Sequence, residues 1–260
     1  MIMPVYPGGA RRALAQLAPD YMRNPYLVSI LTRLDERRQA WWLLDREQRF
    51  QGLLGYQRGV FYLYAPANAY DAAAAARLIL AWPGAEAPVV AGEEGRVEPL
   101  ADRLSLPQAE RTFHFARLTG ALPPLAARPG IREAGVGDVP RIHALRQEIL
   151  EFGPSMPMTE LHALVAGGEN RIFYLENGLQ RVEAAATLTS RSLYGAVVAS
   201  VMTHPASRGK GYATALTHYA SERVLRAGGT PCLFYDNPEA WRIYQRLGYR
   251  VTGAWRWYYL

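Results

Sequence analysis

Cysteine is almost missing from this chain. Cys232 stands alone in an apolar run, and one thiol cannot close an intramolecular disulfide. A disulfide-dependent extracellular fold is therefore excluded, and the cytoplasm is the expected compartment. Lysine is equally scarce: Lys210 is the only one, and every other member of the 29 Lys and Arg residues is arginine. No window of eighteen apolar residues occurs, so the sequence contains no candidate transmembrane helix. The opening stretch MIMPVYPGGARRALAQLAPD lacks an apolar core ahead of a small-residue cleavage site, so no secretory signal is expected there. Runs of five like charges are absent as well. The net charge of +6 is dispersed among acidic residues and reads as compositional bias. Without a basic stripe interleaved with aromatics, neither nucleic acid nor a membrane surface is an expected partner.

What is present is core-forming material: half of the 260 residues are hydrophobic and 11% are aromatic. That length suits either one large domain or two of ordinary size. The Pro-, Gly- and Ala-rich stretch TGALPPLAARPGIREAG, 119–135, reads as a linker and divides the chain into 1–125 and 129–260.

In the second part, GDVPRIHALRQEIL predicts an amphipathic helix with Asp138 as N-cap and Pro140 in the first turn. TELHALVAGG predicts a shorter helix capped by Thr159 and stopped at Gly167. Asn177-Gly178 is a tight hairpin signal between two strands, and GAVVASVMT is apolar enough for a central strand. A helix over 212–225, the buried strand PCLFY, the helix PEAWRIYQRLG and a terminal strand pair follow. The order β-α-α-β-β-β-α-β-α-β predicts an α/β fold with a mixed sheet.

The stretch THPASRGKGYATALTHYA, 203–220, connects a strand to a helix through a loop with two glycines. Unpaired N–H groups at a helix start, together with the helix dipole, form an anion site. Gly209 and Gly211 let the backbone approach a phosphate closely, Arg208 and Lys210 add positive charge, and Thr214 offers a hydroxyl. The spacing matches neither the P-loop nor the dinucleotide fingerprint. The alternative is a tight connection with solvated basic residues.

The loop and its surroundings resemble the GNAT superfamily of acyl-CoA-dependent N-acetyltransferases. V-x-T-H-P-x-x-R-G-K-G-Y-A, Val201 to Ala213, is similar to its pyrophosphate-binding motif. N-P-E-A-W-R-I-Y-Q-R-L-G-Y, Asn237 to Tyr249, is similar to the motif that follows. The resemblance spans about 130–257, with one departure: Ala206 stands where the family often has Gln or Arg. It implies that the amides of Arg208, Gly209, Lys210, Gly211, Tyr212 and Ala213 hold the diphosphate of acetyl-CoA. It also implies that the strand Val201, Met202, Thr203 pairs with the pantetheine arm where it splays from its neighbour, often at a bulge. An amide near Val201 or Met202 would polarise the thioester carbonyl. Asn237 would lie at the mouth of the splay. No metal is implied.

By the same resemblance Tyr244 protonates the CoA sulfur; the alternative is a core aromatic. The general base is not legible. Many relatives use a Glu on the central strand, and GAVVASVMT contains none. Glu183, Glu148, Glu151, His204 and the carboxylate of Leu260 are candidates, each also readable as a surface charge or, for His204, a fixed turn residue; no base is needed if the amine arrives neutral. The implied activity is acetyl transfer from acetyl-CoA to an amine of a small molecule or peptide. The alternative is a non-catalytic acyl-CoA-binding or interaction module of the same fold. A homodimer is compatible with the resemblance.

The first part reads as a worn copy of the second. GVFYLYAPANAYDAAAAARLIL repeats the strand–loop–helix form, and PVVAGEEGRVEPLADRLSL aligns without gaps on PCLFYDNPEAWRIYQRLGY. In this copy no R-G-x-G remains, Asp71 opens the helix, Glu94 replaces Asn237 and Ala101 replaces Tyr244. A two-domain GNAT arrangement with an active C-terminal domain is expected.

Overall fold

The computed structural model describes residues 1–18, 21–83, 89–105, 111–125, 130–149, 151 and 156–259. These residues divide into two compact units, Met1–Phe115 with Thr252–Leu260, and Ala116–Val251. The change near residue 116 falls just before the 119–135 stretch expected to link the halves. The last strand, however, counts with the first unit.

The first set of elements is β1 (Ile2–Pro4), α1 (Ala10–Gln16), α2 (Pro25–Leu31), β2 (Arg38–Leu44), β3 (Phe50–Gln57), β4 (Val60–Tyr64), α3 (Ala72–Leu80), β5 (Val89–Glu93), α4 (Glu98–Leu104) and β6 (Arg111–Leu118). The second set is β7 (Arg132–Glu133), α5 (Val139–Gln147), α6 (Met158–Ala166), β8 (Arg171–Glu176), β9 (Val182–Ser192), β10 (Gly195–Thr203), α7 (Tyr212–Arg226), β11 (Thr230–Tyr235), α8 (Pro238–Arg246) and β12 (Tyr249–Tyr259). Apart from single 3-10 turns, the two sets have the same order of strands and helices. The strand neighbours repeat too, β1-β2-β3-β4-β5 and β7-β8-β9-β10-β11. Within each series the fourth and fifth strands are parallel, and the other pairs are antiparallel. The expected mixed α/β sheet is therefore present, and it is present twice.

In the second unit the sheet carries a core on each face. Ala196, Val198, Leu216, Ala220, Leu233, Tyr244 and Leu247 form one cluster, and Ile142, Leu145, Ile149, Leu161, Ile172 and Met202 belong to the other. Burial of one leucine such as Leu216 stabilises by about 1.5–3 kcal/mol, so these two layers hold β10 firmly at its centre.

Four local expectations change. Asp138 stands at the N-cap position of α5 as expected, but its side chain makes no cap bond to the helix; its carboxylate accepts from the Gly135 N–H at 3.0 Å, closing the 3-10 turn Val136–Asp138 ahead of the helix. Helix α6 begins at Met158 with Pro157 at the cap position, so Thr159 lies inside the first turn. At its other end α6 stops with Gly167 as its C-cap, as expected, and Gly168, at φ +66°, takes the left-handed turn that follows. The hairpin of β8 and β9 is wider than a two-residue Asn-Gly turn. Asn177 accepts through its side chain from Leu179 and Arg181 at 2.9 and 3.1 Å, and Gln180 carries the positive φ of 60°. Finally, YRVTGAWRWYY forms one long strand, β12, rather than a pair. Gly253 does not turn the chain there; in the first unit β12 pairs with β5 from Trp255↔Glu93 to Tyr259↔Val89.

Candidate active site

The site begins where two strands part. β10 and β11 pair in parallel from Gly195↔Thr230 to Val197↔Cys232, although β10 continues to Thr203 and β11 to Tyr235. Beyond Val197↔Cys232 the two strands form no further pairs. A β-bulge accompanies the opening. Ala199 stands opposite Thr187 and Met202 opposite Ala185, so Ser200 and Val201 together face Ala186. The inserted residue changes the phase of the strand. Ala196 and Val198 point into one core, as does Val201, whereas Met202 points into the other. Ser200 is the residue that absorbs the change, at φ +47°. Its hydroxyl accepts from the Arg146 guanidinium of α5 at 3.2 Å.

After β10 the chain makes a 3-10 turn at Pro205–Ser207 and enters the glycine loop. Gly209 and Gly211 have φ of +80° and +78°, and Gly211 is the N-cap of α7. A Cβ on either would meet nothing within 4 Å, so the concave side of the loop is open. The first intrahelical bond runs from the Ala215 N–H to the Gly211 carbonyl. The N–H groups of Tyr212, Ala213 and Thr214 thus precede the helical ladder, as an anion cradle requires. Lys210 Nζ lies 5.7 Å from the centre of the Tyr212 ring.

Three carboxylates brace this loop, and they are the three glutamates considered from the sequence as bases. Glu183 accepts from the Ser207 hydroxyl at 3.1 Å and sits 3.9 Å from Lys210 Nζ. Glu151 pairs with Arg208 at 2.8 Å; its own amide and Arg208 hold its carboxyl below the usual range. Glu148 pairs with Arg181 and lies 2.8 Å from His204 Nε2. The other ring nitrogen of His204, Nδ1, accepts from the Ala206 N–H at 3.2 Å, which caps the 3-10 turn. Both nitrogens of His204 are therefore engaged in shaping the loop. Leu260 lies outside the described residues.

Tyr244, on α8, is 7% exposed and packs in a column of aromatic rings. Its centroid is 6.0 Å from that of Tyr235 and 6.1 Å from that of Tyr249. Tyr235 ends β11, past the last residue paired to β10, so the Tyr244 ring stands against the opened part of the strand. The hydroxyls of the two neighbouring tyrosines of this column differ. Tyr249 shares a 2.7 Å hydrogen bond with Ser221, whereas the Tyr244 hydroxyl makes none with a described residue. Burial, with a smaller contribution from Asp236, pushes Tyr244 up to about 12. Asn237, at the end of the same strand, caps α8: its side-chain oxygen accepts from the Glu239 N–H at 2.9 Å, leaving the amide nitrogen. Thr203 Oγ1, at the end of β10, is buried without a hydrogen-bond partner among the described residues.

Sequence reasoning missed Ser200, Arg146 and Ser207. A usable signal existed for Arg146, which falls one helical turn after Ile142 and beside Leu145, on the buried flank of α5. A serine with positive φ leaves no such trace.

The corresponding place in the first unit is closed. β4 and β5 pair from Val60↔Val89 to Leu63↔Gly92, nearly their whole length, with no bulge between β3 and β4. Asp71 caps α3, accepting from the Ala74 N–H at 2.9 Å, so a carboxylate sits where the second unit offers a cradle. Ala101, on α4, is buried at the position aligned with Tyr244. Among the described residues no group of three His, Cys, Asp or Glu side chains could hold a metal ion, and no helix is long and apolar enough to cross a membrane.

Comparison with known proteins agrees with this geometry. Residues 168–251 match the model of the acetyltransferase (GNAT) domain. No curated protein matches the chain in sequence. Among solved structures, a protein of Novosphingobium aromaticivorans assigned to the GNAT acetyltransferase family is 23% identical, with a TM-score of 0.55 over 76% of this chain and 82% of its own. A Drosophila protein superposes with a TM-score of 0.74 at 14% identity, covering 100% of this chain and 98% of its own. A tandem GNAT protein from the clavulanic acid biosynthesis pathway gives 0.61 at 13% identity, covering 100% and 98%. These likenesses carry the fold across both units, and the family match falls on residues 168–251, which contain the opened strand, the glycine loop and α8.

Proposed function

We propose that this chain transfers an acetyl group from acetyl-CoA to an amine, and that its second unit does so alone. The observation that carries the reading is the opening of β10 from β11, leading straight into the positive-φ glycines at the start of α7. A pantetheine arm needs a strand edge with free main-chain groups, and a diphosphate needs converging N–H donors. The opening and the loop supply these two in sequence along one ligand's length.

In this reading the diphosphate lies on the amides from Arg208 to Ala213, with Lys210 and Thr214 beside it. Val201, Met202 and Thr203 face the pantetheine, and an amide at the bulge polarises the thioester carbonyl. Asn237 meets the arm at the mouth of the opening. The amine nitrogen attacks the carbonyl carbon, the C–S bond breaks and the sulfur receives a proton at the Tyr244 hydroxyl. The proton shed by the nitrogen leaves to solvent, and solvent returns one to the Tyr244 phenolate, so the proton count closes over the cycle. A phenol raised to about 12 is neutral throughout the working range but is a weak acid. Transfer to a thiolate of ordinary pKa, about 8.5, runs uphill, so Tyr244 acts as the C–S bond breaks and not before it. The three carboxylates are better suited to bracing the loop than to taking a proton, which favours an amine that arrives neutral.

The test is release of free CoA thiol, followed colorimetrically, across a panel of primary amines from polyamines to amino-acid and peptide amines. The reading predicts acetyl-CoA consumption that depends on an amine and yields its N-acetyl product by mass spectrometry. Acetyl-CoA that binds but is never consumed with any amine would leave a ligand-binding module in its place.

A further inference from the structure

We infer that Arg146 is a positioning residue for the acyl carbonyl, acting by holding Ser200 in the left-handed conformation that makes the bulge. The inference rests on the proposed acetyl-CoA site and goes beyond it, since Arg146 belongs to neither motif of the loop nor to α8. Four observations meet at this point. Ser200 is a side-chain-bearing residue at φ +47°, a region that L-residues other than Gly, Asn and Asp enter at a cost. The register shift between Ala199 and Met202 is centred on it. Its hydroxyl is held at 3.2 Å by the Arg146 guanidinium. That guanidinium reaches the strand from the buried flank of α5, one turn after Ile142 and beside Leu145, and burial lowers its pKa.

The consequence is local and directional. Without the bulge β10 would keep one phase, Met202 would turn away from Ile142 and Leu145, and every main-chain amide beyond Ala199 would be aimed differently. The tether therefore determines where the amides of Val201 and Met202 point. Glycine at position 200 would adopt the same φ without strain and would need no tether. This gives a rescue that a purely structural role for Arg146 would not show.

The experiment reads the carbonyl itself. Acetyl-CoA labelled with 13C at the thioester carbonyl is bound to the full-length protein, and its stretching band is recorded by isotope-edited infrared difference spectroscopy. The parent is expected to shift the band to lower wavenumber relative to free acetyl-CoA. Arg146→Met is expected to lose most of that shift while its affinity for CoA, measured by calorimetry, stays within about threefold. The double variant R146M/S200G is expected to restore the shift. A band in Arg146→Met that matches the parent overturns the inference, and so does a loss that Ser200→Gly fails to restore in a variant that still binds CoA. If Arg146→Met fails to fold, Ser200→Ala replaces it: the shift must fall there too, and an unchanged band overturns the inference. No binding of acetyl-CoA by the parent would instead sink the site reading on which the inference rests.

Discussion

Gly211 and Gly228 sit at opposite ends of α7 and have the same φ, +78°. A Cβ added to either would meet nothing within 4 Å. The two positions therefore carry the same backbone penalty for alanine, about 1–2 kcal/mol from the left-handed conformation. At about 2–4 °C per kcal/mol for a chain of this size, each variant should melt roughly 2–8 °C lower. Their surroundings differ in function only. Gly228 and Gly229 close the helix, donating to Leu225 and Val224 at 2.9 and 3.1 Å, and face no proposed ligand. Gly211 opens the helix as its N-cap, in the loop proposed to hold the diphosphate. The assay is thermal unfolding with and without acetyl-CoA at one hundred times the parent's dissociation constant. Parent and Gly228→Ala should each gain about 2.7 kcal/mol from the ligand. A methyl in the cradle that weakens binding tenfold would leave Gly211→Ala only about 1.4 kcal/mol of that gain. Equal ligand-induced shifts in the two variants would refute the assignment of the loop.

Two further substitutions separate the reaction from the fold. Tyr244→Phe should lower kcat about 10-fold to 100-fold, the lower end for general-acid assistance, because a phenol pushed up to about 12 donates uphill; its affinity for acetyl-CoA should be unchanged, and parental turnover would remove the hydroxyl from the mechanism. Asp71→Ala should cost about 1 kcal/mol through loss of the cap on α3 and leave acetyl-CoA binding as it is; a gained second site would mean that the carboxylate alone had kept the first unit empty.

The second unit was readable because its signals are local. Glycines at 209 and 211 and the helix signal of PEAWRIYQRLG each specify one conformation within a few residues, and the order of elements followed from such signals. The duplication was readable from the alignment of the segments around Pro88 and Pro231, and it reappears as a repeated order of strands and helices. Features that depend on partners far along the chain were not readable from the residues themselves. The opening of β10 from β11 and its bulge were expected only through the family resemblance, and the centring of the bulge on Ser200 depends on Arg146, 54 residues earlier. The terminal segment was expected to be two strands, yet it runs as one, paired with β5 from Trp255 to Tyr259. Likewise Glu183, Glu148 and Glu151 looked like independent candidates for a base. Their service to Ser207, His204 and Arg208 requires the loop to be folded against them.

Calorimetric titration of the full chain with acetyl-CoA tests the central claim most directly, because the fold is built twice and the site only once. One binding site per chain is the predicted result, lost in a Gly209→Val, Gly211→Val double variant that remains folded. No binding, or two sites per chain, would contradict the account.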